Sequence, residues 1–195
     1  MIAGILVTLI VIWSLRTVYR QIYRFRNRTE YDVVPYMVPL DLGELTELVD
    51  LLTEEILLDE LGSKGFREEQ FKRIRLLKEY TRWMRRNADV LQEWGEYGFR
   101  RRIHAEEDGI KSSSLKLIKA CQQFRFGARA VQVDLHIKFL KMKLFPARPV
   151  PRLSNVRRID ASFDLLFAYQ AIRVAAEYLS QAYGQDCYDN LAQVL

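Results

Sequence analysis

This chain of 195 residues carries 30 Lys+Arg against 25 Asp+Glu, a formal net charge of +5, and 49% of its residues are hydrophobic. Five of the basic residues fall within residues 1–28, where no acid occurs, which leaves 25 basic against 25 acidic in residues 29–195. A neutral body argues against a basic nucleic-acid-binding domain. Two cysteines without C-x-x-C spacing, Cys121 and Cys187, exclude a disulfide framework and fit a reducing compartment.

The first fifteen residues, MIAGILVTLIVIWSL, contain no charge, and Arg16, Arg20, Arg24, Arg26 and Arg28 follow before the first acid, Glu30. A secretory signal has its basic residues first and a small-residue cleavage site after the apolar stretch; here the order is reversed and no such site follows. A transit peptide is amphipathic, whereas Met1–Leu15 is apolar all round. Fifteen helical residues cover about 22 Å of a hydrocarbon layer about 30 Å thick. Val18, Tyr19, Ile22 and Tyr23 extend the apolar face, and Arg16 and Arg20 have the reach to snorkel to headgroups. Residues 1–30 therefore read as a single-pass membrane anchor with a basic juxtamembrane extension. Trp13, Tyr19 and Tyr23 are expected at the interface, and Arg16, Arg20, Arg24, Arg26 and Arg28 on anionic lipid headgroups. The positive-inside rule puts the N-terminus outside and the rest on the cytoplasmic or matrix side. The competing reading is a buried helix of a soluble domain. Asn27-Arg28-Thr29 matches a glycosylation acceptor, but on the wrong side of the membrane and against it.

Residues 31–43, YDVVPYMVPLDLG, form an apolar linker with Pro35 and Pro39, expected to run extended and to pack against the body or a partner. Residues 44–195 are expected to form a bundle of about four long helices. Asp41 with Glu44 resembles a capping box. The acidic run from Asp41 to Leu61 places Leu45, Leu48, Val49, Leu52 and Ile56 on one face. Gly62 is its stop. The basic run from Arg67 to Asn87 places Phe71, Ile74, Leu77 and Met84 at helical spacing, so the two runs predict an antiparallel hairpin with complementary charges along its flanks. Asn87 is a candidate cap, Val90, Leu91 and Trp94 continue the apolar face, and Gly95 and Gly98 are expected to end it.

FRRRIHAEEDG reads as a surface connection. From Ser112 to about Phe145, Leu117, Cys121, Phe124, Ala128, Val131, Leu135, Phe139 and Met142 are spaced 4, 3, 4, 3, 4, 4 and 3, a heptad-like seam on a helix rich in bases with Asp134 its one acid. The prolines of FPARPVPR make residues 146–151 a spacer. A last helix is expected over about 155–183, with apolar residues on more than one face, which suits either the centre of the bundle or contact with a second surface.

No catalytic constellation stands out. The two histidines, His104 and His136, lack the Glu-x-x-His pattern of di-iron bundles. HAEED, residues 104–108, is better explained as a solvated charge run than as a cation site, and Cys121 on the apolar seam as an inert thiol. His136 reads as a core or edge residue. No phosphate loop, nucleophile elbow or zinc spacing occurs. The expectation is a non-catalytic accessory subunit of a multi-subunit membrane complex, energy-transducing by architectural analogy only. It would bind no cofactor, metal or small-molecule substrate; its partners would be other membrane-protein subunits and anionic lipid. Tyr36, Met37, Val38, Phe163 and Phe167 are the candidate partner contacts, since aromatic residues are favoured at interfaces. The alternatives are a free-standing tether that recruits a soluble partner through the basic helix, a nucleic-acid binder using residues 67–86 and 111–143, and an enzyme whose site leaves no motif.

Overall fold

The computed structural model describes residues 33–101, 108–154, 158–160, 163–184, 187, 189 and 191. The expected anchor, with Trp13, Arg16, Tyr19, Arg20, Tyr23, Arg24, Arg26 and Arg28, lies outside the described residues, as do His104 and the acids after it through Glu107. Among the described residues, no helix is long and apolar enough to cross a membrane. The body is a helical bundle.

Its first elements are short because their sequence contains stops. Pro35 sits in a 3-10 turn, Val34–Tyr36, and the chain then runs extended to Asp41. The Asp41 carboxylate accepts from the amides of Gly43 (2.8 Å) and Glu44 (3.1 Å) and so caps α1, Leu42–Leu48. Helix α2, Leu51–Arg101, is broken at Gly62, whose φ of 62° and ψ of 176° are non-helical. A side chain is strained at that positive φ, and glycine is not. Three polar contacts show how the chain folds back at this point: Tyr80 donates to Glu44, Arg73 to the Leu48 carbonyl, and Gln70 to Glu54. The paired residues converge on Gly62 from both sides, so the acidic and basic runs form the expected antiparallel hairpin. Among the described residues, no row of ion pairs joins its two arms. The Arg73 guanidinium reaches the carbonyls of Glu47 (3.1 Å) and Leu48 (2.7 Å) at the C-terminus of α1.

The apolar face expected over this region is only half right. Leu45, Leu48 and Val49 are buried, but Leu52 and Ile56 are 68% and 56% exposed. A single helix through these positions would bury all five. Instead α1 ends at Val49, a new helix starts at Leu51, and the phase resets. Glu54 takes the inward position. Its buried carboxylate accepts from Gln70 Nε2 (2.5 Å) and from the backbone amides of Leu153 (2.6 Å) and Ser154 (3.1 Å). This contact draws the proline-rich segment back over the hairpin tip, where Arg67 also holds the carbonyls of Met142 and Arg148. Residues 146–151 are thus a strap tied to the body at both ends.

Helix α3, Asp108–Leu144, packs antiparallel along α2 and α4. The seam predicted for it is its core face: Leu117, Cys121, Phe124, Ala128, Val131, Leu135 and Met142 are buried, and Phe139 packs edge-on against Phe71 at 5.3 Å. Gly95 and Gly98 do not end the preceding helix. They are buried within α2, where close neighbours leave a tight fit at Gly95 and no room at Gly98 unless Tyr183 moves. A Cβ on Gly95 would lie 3.2 Å from Ile118, and one on Gly98 would collide with the Tyr183 hydroxyl. The last helix begins later than the sequence suggests. Helix α4 is Leu165–Tyr183, not 155–183, because the Asp164 carboxylate caps it through the amides of Leu166 (3.0 Å) and Phe167 (3.1 Å). Before it, β1 (Arg158–Asp160) and β2 (Phe163–Asp164) pair antiparallel, with Arg158 opposite Asp164 and Asp160 opposite Phe163.

Asn87 is not a cap. It is buried in mid-helix, where Nδ2 donates to the Val38 carbonyl (2.8 Å) and the Tyr169 hydroxyl (3.0 Å) while Oδ1 accepts from the Val38 amide (2.8 Å). One side-chain amide therefore completes the backbone bonding of the extended entry segment, as a neighbouring strand would, and ties it to α2 and α4. Replacing Asn87 by Leu keeps the volume but strands a buried N–H, a carbonyl and a hydroxyl, each costing about 1–3 kcal/mol. We expect Asn87→Leu to lower stability in urea melts by about 3 kcal/mol, and Gln123→Ala on the exposed face of α3 to stay within about 0.5 kcal/mol. Equal midpoints for the two variants would show that Asn87 ties nothing together.

Candidate interaction site

Helix α3 carries a second apolar row opposite its core seam. Phe126, Val133, Ile137, Leu140 and Leu144 recur at intervals of 7, 4, 3 and 4, and all are exposed, Phe126 at 80%. At about 100° per residue these positions lie within roughly 60° of one another. Val133, Ile137 and Leu140 line a groove of about 590 Å³ between α2 and α3. Its other lining residues are Lys78, Arg82 and Arg85 from α2 and Arg129, Gln132 and His136 from α3. Spacings of 4 and 3 along α2, and of 3 and 4 along α3, make two polar rails facing each other across the antiparallel pair.

None of these cations is neutralised by a carboxylate among the described residues. Arg85 donates to the neutral Gln132 amide oxygen at 2.6 Å, and its Nε is buried without a partner. The Lys78 ammonium sits 3.4 Å from His136 Nε2 and 5.2 Å from the centroid of Phe139. His136 Nδ1 lies 3.3 Å from the Gln132 carbonyl, so the tautomer protonated at Nδ1 donates there and accepts from Lys78. His136 is an exposed rim residue rather than a core one. A second cavity, about 820 Å³, lies at the hairpin tip beside Phe66, Pro146 and Pro149. Three of its four cations are engaged: Arg67 holds two carbonyls, Arg148 stacks on Phe145 at 4.8 Å, and Arg152 is 3.5 Å from Glu55, while Lys64 is exposed.

Helix α4 also shows two apolar faces. Leu165, Tyr169, Ile172, Ala176 and Leu179 are buried, and Tyr169 meets Phe124 at 5.6 Å. Phe167, Val174 and Tyr178 point outward, with Phe167 at 75% and Tyr178 at 60% exposure. Of the candidate partner contacts, Phe167 is thus on an open face. Tyr36 is exposed at the rim of the entry segment. Met37 is buried in the core, and Asn87 bonds the Val38 backbone while the Val38 side chain is half-buried. Phe163 lies in β2, and its side chain is outside the described ones. The outward row of α3 has its own signal in the sequence, the 7, 4, 3, 4 spacing, which the longer core seam overshadows.

Cys121 is buried, and desolvation pushes its thiol up to about 12, with Arg125 pulling the other way. Little thiolate forms at neutral pH, which suits an inert core residue. Burial, followed by the hydrogen bond to Glu44, also raises the Tyr80 phenol to about 12. Both groups keep their protons longer in the folded chain than in the unfolded one. Their contribution to stability is complete below the unfolded values, about 9 for the thiol and about 10 for the phenol, and is lost as pH rises toward 12. We expect the urea midpoint to fall through this window, and Cys121→Ala to make the fall shallower; an identical slope in the variant would remove Cys121 as a cause.

Among the described residues, no group of three or more His, Cys, Asp or Glu is placed to hold a metal ion. The chain matches no family model, no curated protein and no solved structure.

Proposed function

We propose that this chain is a non-catalytic, membrane-anchored accessory subunit whose helical body docks another subunit of a membrane assembly. The observation that carries this reading is the second apolar face of α4, where Phe167, Val174 and Tyr178 stand outside the core that the opposite face already completes. Scattered exposed apolar residues are ordinary, but a row of them on one helix face is a common mark of an interface. Aromatic side chains supply much of the binding energy at such sites. The anchor rests on sequence alone: an uncharged run of fifteen residues with five arginines behind it.

The test is purification of the full chain from membranes in a mild non-ionic detergent. A fixed, stoichiometric set of membrane proteins is expected to accompany it. Phe167→Ser with Tyr178→Ser is expected to shed that set while leaving the melting temperature within about 2 °C, since neither side chain supports the core. Recovery with a soluble partner alone, or retention of the whole set by the double variant, would overturn the reading.

A further inference from the structure

We propose that the groove between α2 and α3 seats an anionic phospholipid, with the phosphate against Arg82, Arg85, Arg129 and Lys78 and the start of an acyl chain along Val133, Ile137 and Leu140. The lining itself states the required chemistry. Four fixed cations stand on two rails with no acid among the lining residues, so the ligand is an anion. Arginine predominates, and its planar fork suits phosphate oxygens. Arg85 is held in place on the α2 rail by its bond to Gln132, which leaves its charge without a carboxylate partner among the described residues. The aliphatic residues beside the cations make the ligand an amphiphile rather than a bare ion. A volume of about 590 Å³ lies within the range of small-ligand pockets.

A lipid fits the surroundings better than a protein segment. The apolar row runs on past the groove to Leu144, about 27 Å from Phe126 at 1.5 Å per residue, and the helix adds Lys141 and Lys143 near that end. An apolar stripe bordered by bases is the pattern of a helix lying against an anionic membrane surface. The rival occupant is a second copy of this chain. Its exposed Leu52 and Ile56, flanked by Glu55 and Asp59, form an acidic apolar face, though only about two turns long. The proposed site is distinct from the α4 face, so each can fail without the other.

The experiment uses the full chain in non-ionic detergent, followed by intrinsic tryptophan fluorescence, since Trp83 adjoins Arg82. The probes are short-chain phosphatidylglycerol, the matching phosphatidylcholine, and inorganic phosphate. Phosphatidylglycerol is expected to bind at least tenfold more tightly than either of the others. Arg82→Gln with Arg129→Gln is expected to lose at least tenfold of that affinity. Val133→Ser with Ile137→Ser is expected to weaken phosphatidylglycerol binding and leave phosphate binding unchanged. All four side chains are exposed, so melting temperatures should hold, and circular dichroism checks that they do. Equal binding of phosphatidylcholine would overturn the proposal, as would phosphate binding as well as phosphatidylglycerol. So would a dimer in sedimentation equilibrium that forms without lipid and that Arg82→Gln with Arg129→Gln dissolves, because the groove would then belong to a second copy.

Discussion

A buried carboxylate governs how this body closes. Glu54 is sealed from solvent, yet it accepts three hydrogen bonds, from the far arm of its own hairpin and from two backbone amides of the strap. An ionised carboxylate is costly to bury unless its oxygens are occupied, and here both are. A Gln at this position could still accept from Gln70 and Leu153 on its one oxygen, but its NH2 would face the Ser154 amide, which already donates. The site thus demands a carboxylate, and the demand fixes the register of the hairpin and the path of residues 145–154 together. Buried Arg73, close to Glu54 and bonded to the end of α1, completes a polar wedge inside an otherwise apolar hairpin. Burial lowers the Arg73 pKa, and the nearby charge of Glu54 opposes that shift.

From this wedge the rest follows by packing. The second arm of α2 presents Ile74, Leu77, Met84 and Leu91 to the seam of α3, and α3 in turn takes α4. Where the helices come closest, glycine replaces bulk: Gly95 against α3 and Gly98 against Tyr183. The polar links between α2 and α3, Arg125 with Asp89 at 2.9 Å and Arg85 with Gln132, align the pair without filling its core. Because α3 lies between α2 and α4, its opposite side has no neighbour among the described residues, and both outward apolar rows arise on elements whose core duty is already met.

Much of this was legible in the residues. Periodicity alone identified the α3 seam from Leu117 to Met142, and Gly62 between an acidic and a basic run marked the hairpin. What failed were features set by tertiary contact. Leu52 and Ile56 looked inward because nothing local announces that Asp50 starts a new helix; its side chain bonds the Thr53 amide at 2.9 Å, a cap visible only once the phase has broken. Gly95 and Gly98 looked like stops because glycine costs a helix about 1 kcal/mol in isolation, whereas here the small side is what the neighbouring helices need. Asn87 looked like a cap for the reason that makes it useful inside: its amide can serve backbone donors and acceptors at once. The candidate site is half visible in the sequence, since the basic character of the helix stands out and its outward apolar row is overshadowed by the longer seam.

The strap has a kinetic consequence. Contacts within the α1–α2 hairpin and between successive helices join segments close in sequence, and such contacts form early because little loop entropy opposes them. The bonds from Glu54 to Leu153 and Ser154 span 99 and 100 residues. They are available only after α2 has turned at Gly62 and α3 has come back along it, so the strap latches a body that is already assembled. The same order run backwards makes the strap the first part to let go: in hydrogen exchange the amides of Leu153 and Ser154 should open before those of the α2–α3 core, and the opening would uncover Phe66 and the hairpin tip while the helices stay folded.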